Sequence, residues 1–211
     1  MVRRARGYFP GFSVHVIHRG INRQPIFGDD GDRETFLTFL ESATTQHDVA
    51  VHVFALMSNH YHLLVTPRSE TALPGAMRGL GLRYTQYYNR KYERIGTLWT
   101  GRYRSIPIDD EQYWWTCLRY IELNPVRAQI VLRPEDYRWS TYRTYAFGET
   151  RGWIVHHDLC VRLGGSDEER QQAYRRICSE PLTESDLVRQ RLGRPDCQIA
   201  AGDSADLIAV S

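Results

Sequence analysis

Lysine is almost missing from this sequence. Of its 27 basic residues, Lys91 alone is a lysine and the rest are arginines. Nearly every cationic group is therefore a planar guanidinium, suited to gripping phosphate with two hydrogen bonds. A genome's base composition can impose the same bias, so the bias alone selects no partner. Cysteine is sparse too. Cys117, Cys160, Cys178 and Cys197 are scattered with no close pair, which argues against a zinc knuckle and a disulfide scaffold and predicts reduced, mostly buried thiols. No apolar run reaches the length needed to cross a bilayer, so no membrane partner is expected. The first residues, Met-Val-Arg-Arg-Ala-Arg-Gly-Tyr, are basic with no apolar segment behind them. They do not read as a secretory signal, and a cytoplasmic location is expected. Glycine-rich phosphate loops, internal repeats and low-complexity tracts are also missing.

What remains is enough for a real core. The chain has 211 residues, 42% of them apolar, which fits one domain with an appendage or at most two small ones. The expected division is 1–150 for the main domain and 151–211 for a small helical extension with a flexible tail from Gly193. Net charge is only +2, but residues 68–104 carry eight basic side chains against Glu70 and Glu93, a local +6. Tyr84, Tyr87, Tyr88, Tyr92, Trp99 and Tyr103 interleave with that charge. Positive charge with stacking surfaces suits single-stranded nucleic acid. A solvated helix face explains the charge equally well.

The periodicities give an ordered set of elements. Residues 12–18 have strand composition, with Val14 and Val16 on one face and Ser13, His15 and Ile17 on the other. His15 and His18 fall on opposite faces, so they are not expected to form a paired-imidazole site. The polar loop Arg19-Gly20-Ile21-Asn22-Arg23 follows. A turn at 28–32 starts a helix with Phe36, Leu37, Phe39, Leu40 and Ala43 inward. Strands at 49–57 and 60–65 flank a short turn at Ser58-Asn59. A helix over 72–92, whose stripe of Leu73, Met77, Leu80, Tyr84, Tyr87 and Tyr88 reads mostly as core, a strand ending near Ile108 and a helix capped by Asp109-Asp110 complete the set. The order β-α-β-β-α-β predicts an α+β, ferredoxin-like antiparallel sheet with helices on one face. Further helices are expected at 167–179 and 183–192, and His156 and His157 are expected to have no ligand role.

Two short stretches carry chemistry. On a strand, His60 and His62 face the same way, with Tyr61 and Leu63 facing the core. Neutral imidazoles side by side can share a divalent ion; the plainer reading is that one packs and the other is solvated. Far downstream, Tyr120 and Asn124 lie four residues apart on one helical face. Pro125 disfavours helical geometry at Asn124, placing it near the helix end. There its amide could complete a three-ligand site with the two histidines, and Leu123 could pack inward. Spacing alone does not single out Tyr120 among 13 tyrosines.

These residues resemble a known family. His60-Tyr61-His62 looks like the HUH motif, two histidines around a bulky apolar residue. Tyr120-Ile121-Glu122-Leu123-Asn124-Pro125-Val126 resembles the tyrosine motif of REP-associated tyrosine transposases, a branch of the IS200-like, single-tyrosine HUH transposases. The Arg19 to Arg23 loop, Gly101-Arg102-Tyr103 and the stretch from Tyr137 to Tyr142 match family habits, and the resemblance spans about residues 8–148. It implies nicking and joining of single-stranded DNA beside REP-like hairpins. His60, His62 and Asn124 would hold Mg²⁺ or Mn²⁺, ions for which an amide oxygen is a fitting donor. Tyr120 would be the nucleophile, forming a 5′-phosphotyrosine. A phenol is a poor nucleophile at neutral pH, so polarisation of the phosphate by the metal would matter. The Tyr-x-x-x-Asn pattern of this branch implies action in cis, as a monomer or weak homodimer associated with the nucleoid. Arg19, Asn22, Arg23, Arg102 and Arg104, at strand ends, are the expected DNA contacts.

Three readings follow: a metal-dependent strand transferase, a domesticated protein that holds single-stranded DNA or RNA hairpins without cutting, and a metal-dependent hydrolase whose histidines activate water. The first needs Tyr120 for a covalent adduct. The second predicts salt-sensitive binding that survives chelation, and the third tolerates loss of the phenol.

Overall fold

The computed structural model describes residues 10–192. Two expectations, the flexible tail from Gly193 and the thiol of Cys197, lie outside them. The first strand, β1 (Val14–Arg19), is followed by a 3₁₀ turn (Ile21–Arg23) and helix α1 (Asp30–Gln46). Asp29 starts α1 through a capping box. Its carboxylate accepts from the Asp32 backbone at 2.9 Å while the Asp32 carboxylate reaches back to the Asp29 N–H. Strands β2 (Val49–Leu56) and β3 (His60–Pro67) form a hairpin, and α2 (Ala72–Lys91) leads to β4 (Arg104–Pro107).

The four strands order as β2-β3-β1-β4, all antiparallel. This is the expected ferredoxin-like sheet, with β1 and β3 central. Strands β1, β2 and β3 are nearly buried on both faces, because helices cover both, while the edge strand β4 is mostly half-buried. The crossover helices α1 and α2 lie on the face of Tyr61 and Leu63, where Tyr61 meets Phe36 at 4.8 Å and Trp99 at 5.8 Å between ring centres. Helix α3 (Glu111–Glu122), capped by Asp110 as expected, lies on the opposite face. There the Trp114 indole donates to Ser13 Oγ at 3.2 Å, and Tyr120 meets His15 and His62.

The aromatic residues of 84–103 turn out to serve packing rather than present stacking surfaces. Tyr84, Tyr88 and Trp99 are buried and Tyr87, Tyr92 and Tyr103 half-buried. Their spacing of three to four residues puts the tyrosines of α2 on its inward side. The lone lysine is tied down as well: Lys91 donates to Asp32 at 2.6 Å and to Asp29.

Beyond α3 the chain makes a short helix α4 (Asn124–Arg127), a 3₁₀ turn (Pro134–Asp136) and helices α5 (Tyr142–Phe147), α6 (Asp158–Val161), α7 (Asp167–Ser179) and α8 (Glu184–Leu192). Residues 151–192 pack on the sheet domain. The Val155 N–H donates to Val51 O at 2.9 Å, and Trp153 stacks on Phe54. His157, unassigned from sequence, stacks on Trp114 at 4.4 Å and its Nδ1 accepts from the Leu159 N–H that opens α6. Cys117, Cys160 and Cys178 are free and buried, as expected. No helix among the described residues is long and apolar enough to cross a membrane.

His52 joins the extension to the sheet. Its Nδ1–H donates to Val155 O at 2.7 Å and its Nε2 accepts from Thr66 Oγ1 at 2.8 Å. Burial, opposed in part by that bond to Val155, pushes its pKa down to about 4. The folded state therefore holds His52 neutral while an unfolded chain would protonate it below its ordinary 6.5. Stability from this residue is present above pH 6.5 and is lost as pH falls toward 4, by up to about 3 kcal/mol. We predict that His52→Gln, followed by chemical denaturation at pH 7 and pH 4.5, loses less stability on acidification than the parent. An equal or larger loss in the variant would contradict this.

Candidate active site

The geometry of the site begins with strand register. β1 and β3 pair as Ile17 with His62 and Arg19 with His60, and β1 pairs with β4 as Ile17 with Arg104. Paired residues share a face, so His15, Arg19, His60, His62 and Arg104 all face α3. Arg19, His60 and Arg104 lie at the same end of the sheet.

The loops at that end brace one another. Gly20 N–H donates to Asn59 O at 2.8 Å, Asn59 Nδ2 to Arg23 O at 3.1 Å, and Thr100 Oγ1 to Gly20 O at 2.7 Å. A Cβ on Gly20 would meet Gln24 O at 2.3 Å, so the turn needs glycine there. Asn22 and Arg23 sit in the left-handed region at φ of 52° and 57°, which costs free energy for non-glycine residues and fixes both side chains at the loop tip. On the other face, His18 stacks on Trp99 at 4.2 Å and its Nε2–H donates to Gly101 O at 2.9 Å, anchoring the loop that carries Arg102.

His60 and His62 lie with ring centres 4.9 Å apart. His60 donates its Nδ1–H to Asn59 Oδ1 at 2.6 Å, which leaves its Nε2 lone pair available. Burial, and next the charge of Arg19, push its pKa down to about 3. His62 is held well below the usual range by burial, with His60, His15, Arg19 and Arg127 adding to the effect. Both rings are therefore neutral at physiological pH, the form in which imidazole binds metals. Asn124, 9% exposed, places its amide Nδ2 3.3 Å from His62 Nε2, and a half-turn of the amide would present Oδ1 there instead. His62 thus has His60 on one side and the Asn124 amide on another. Two nitrogen donors with a neutral amide oxygen fit Mn²⁺ or Mg²⁺. Among the described residues no group of three or more His, Cys, Asp or Glu is placed to hold a metal; this donor set depends on the amide.

Tyr120 is half-buried, edge-on to His62 at 5.5 Å and to His15 at 6.0 Å. The Arg127 guanidinium lies over its ring at 5.1 Å. Arg19 is also within electrostatic reach of Tyr120; burial and then Arg23 lower the pKa of Arg19, and Tyr120 acts against them. Arg104 is half-buried and close enough to His15 to lower its pKa, after burial. Asn22, Arg23 and Arg102 are exposed on the loops just described. The structure thus brings Arg19 and Arg104 to the histidine cluster and leaves the other three around its rim.

Reasoning from sequence missed three neighbours. His15 does lie on the face opposite His18, but that parity argument overlooked its partner on another strand: His15 Nε2 is 3.0 Å from His62 Nδ1. Only the β1–β3 register could have shown it. Arg127 was legible, since Tyr120, Asn124 and Arg127 follow the helical i, i+4, i+7 pattern. The third is Glu122. Leu123 is only half-buried while Glu122 is fully buried, the reverse of the expected inward Leu123. Asn124 does sit at a helix end, as Pro125 implies: α3 stops at Glu122, and Asn124 begins α4. Pro125 lies in the first turn of α4, and Arg127 N–H still bonds to Leu123 O at 2.9 Å.

Glu122 anchors the end of α3. Its Oε1 accepts from Thr141 Oγ1 at 2.8 Å and from the Tyr174 hydroxyl at 2.9 Å. Burial pushes its pKa up to about 8, so the carboxyl is protonated at neutral pH. We predict that Glu122→Gln, which keeps the shape and the acceptor, leaves the melting temperature within a few degrees of the parent. Glu122→Ala should destabilise by about 3 kcal/mol through the cavity and the lost bonds. Equal destabilisation by both variants would contradict a neutral, acceptor role.

Comparison with known proteins fits this geometry. The profile of the family described as "Transposase IS200 like" matches residues 9–124, ending on Asn124. No curated protein matches the chain. Among solved structures, a REP-associated tyrosine transposase bound to a REP hairpin is similar in fold, with a TM-score of 0.55 and 18% identity over 74% of this chain and 93% of that one. A putative transposase from Deinococcus radiodurans R1 matches at a TM-score of 0.41 and 19% identity, over 57% of this chain and 96% of that one. The tRNA(His) guanylyltransferase of Saccharomyces cerevisiae matches at 0.45 and 10%, over 89% and 80%.

Proposed function

Since the chain belongs to the IS200-like transposase family, we propose that it is a metal-dependent endonuclease and strand transferase acting on single-stranded DNA beside hairpins, with Tyr120 as the nucleophile. The observation that carries this reading is the single cluster of His62, the Asn124 amide and the Tyr120 ring, at a sheet end lined by Arg19. The hairpin in the similar structure supports a REP-like hairpin as the DNA partner.

In this reading the Tyr120 oxygen attacks the scissile phosphorus and the phenolic proton leaves to solvent. The bond to the 3′ oxygen breaks, giving a 5′-phosphotyrosine and a free 3′-hydroxyl. A 3′-hydroxyl then attacks the phosphotyrosine, rejoins the strand and releases Tyr120, with no need for ATP because the ester is conserved. Arg19 offsets negative charge on the phenolate and phosphate, and Arg127 holds the ring through its guanidinium. His60, His62 and Asn124 would hold Mg²⁺ or Mn²⁺, which when bound polarises the scissile phosphate. Asn22, Arg23, Arg102 and Arg104 are proposed to hold the DNA backbone or bases around the site.

We predict that the protein, incubated with Mn²⁺ and labelled single-stranded hairpin DNA from repeats flanking its gene, gives a covalent adduct on a denaturing gel. Tyr120→Phe should abolish the adduct and leave hairpin affinity within about threefold. An adduct formed equally well by Tyr120→Phe would remove Tyr120 from the mechanism. Binding without any adduct, across flanking sequences and metals, would favour a hairpin-holding protein that does not cut.

A further inference from the structure

His15 is fully buried, yet neither of the two roles that bury a histidine at no cost explains it. It is not a packing residue with both nitrogens satisfied, and it does not belong to the ligand set. Its Nε2 lies 3.0 Å from His62 Nδ1, with the rings stacked at 5.2 Å. Its Nδ1 is buried without a hydrogen-bond partner. Beside it sits Gln190 of α8, 1% exposed, whose two amide atoms are also buried without partners. Gln190 is close enough to raise the proton affinity of His15, though short of full hydrogen-bond geometry.

The proton positions follow from the neighbours. The Asn124 amide Nδ2–H faces His62 Nε2 at 3.3 Å, so that nitrogen is the acceptor and the His62 proton sits on Nδ1. Among the described residues the group facing that proton at hydrogen-bond distance is His15 Nε2, which is therefore the acceptor. The His15 proton is then on Nδ1, and Gln190 Oε1 is the nearby unpartnered acceptor. The pattern parallels His60, whose Nδ1–H is fixed by Asn59. Each candidate ligand histidine thus has its own acceptor behind it, one an amide and one a third imidazole.

We propose that His15 is a positioning residue: it holds His62 in the tautomer whose Nε2 keeps its lone pair, accepting from Asn124 Nδ2 in the structure and open to a divalent ion once that amide turns its oxygen inward, and Gln190 of α8 supports His15 from behind. Outer groups of this kind typically change metal affinity 10–100-fold when removed. The inference rests on the reading of His60, His62 and Asn124 as metal ligands, and the test separates the two.

The test uses the full chain. Long-range ¹H–¹⁵N correlation spectra of the metal-free protein read the tautomer of each histidine directly, and electron paramagnetic resonance counts free Mn²⁺ in a titration. His62 is expected to be protonated on Nδ1 in the parent. His15→Leu, which removes the acceptor, should mix the His62 tautomers and weaken Mn²⁺ binding 10–100-fold. His15→Gln, which restores an acceptor oxygen, should recover most of both. Gln190→Leu should give a smaller change in the same direction. Protonation of His62 on Nε2 in the parent would overturn the proposal even if no variant folds. A His15→Leu variant with unchanged tautomer and Mn²⁺ affinity within twofold would overturn it too. If Mn²⁺ binding is indifferent to His62→Ala while the tautomer still depends on His15, the ligand reading fails and the positioning role stands.

Discussion

The antiparallel register between β1 and β3 is the constraint on which the rest depends. It puts Ile17 opposite His62 and Arg19 opposite His60. A slip of one residue would turn the histidines toward α1 and α2 and Tyr61 toward α3. That slip is opposed from the other face, where Tyr61, Leu63 and Val65 are fully buried. The packing of an ordinary apolar core is therefore what aims the polar residues at α3. The loop contacts among residues 20–26, 57–59 and 98–101 lock the same register at the end where the chemistry would occur.

The second half of the site comes from a helix that must stop moving. Tyr120 and Asn124 straddle the junction of α3 and α4, a place where a helix end would ordinarily fray. Here the junction is held by Glu122, buried and bonded to Thr141 and Tyr174, and by Arg119, which donates to the backbone oxygens of Glu180 and Pro181. Tyr174 belongs to α7, and Glu180 and Pro181 to the connection between α7 and α8. The extension is thus part of what fixes the tyrosine and the amide against the histidines, and Gln190 of α8 reaches the same cluster through His15. Neutrality is common to these groups. Buried His15, His62 and Glu122 and half-buried His60 are all uncharged, so the positive charge beside Tyr120 comes from arginines, Arg19 and Arg127 among them.

Much of this was legible in the residues, for physical reasons that differ by element. The sheet order followed from alternation and turn residues, and α1 and α2 from inward faces at helical spacing. His60 with His62, and Tyr120 with Asn124, were each visible because local periodicity alone sets which way they face. What was not legible depended on contacts distant in sequence. His15 required the β1–β3 register. Gln190 required the docking of α8. The tyrosines of α2 were legible as core from their helical spacing, although alternation of charge and aromatics along the chain also suggested stacking surfaces; in space the two kinds separate to different sides of the helix. Glu122 stood out in no local pattern, and only the hydroxyls of Thr141 and Tyr174 explain its burial.

The central claim is that Tyr120 becomes covalently joined to DNA. The direct measurement is mass spectrometry of the protein after reaction with single-stranded hairpin DNA and Mn²⁺, nuclease trimming and trypsin digestion. The account predicts a nucleotide phosphate on Tyr120 within the tryptic peptide 120–127, which lies between Arg119 and Ala128. A nucleotide on any other tyrosine, or DNA cut to free ends with the peptide unmodified, would contradict it.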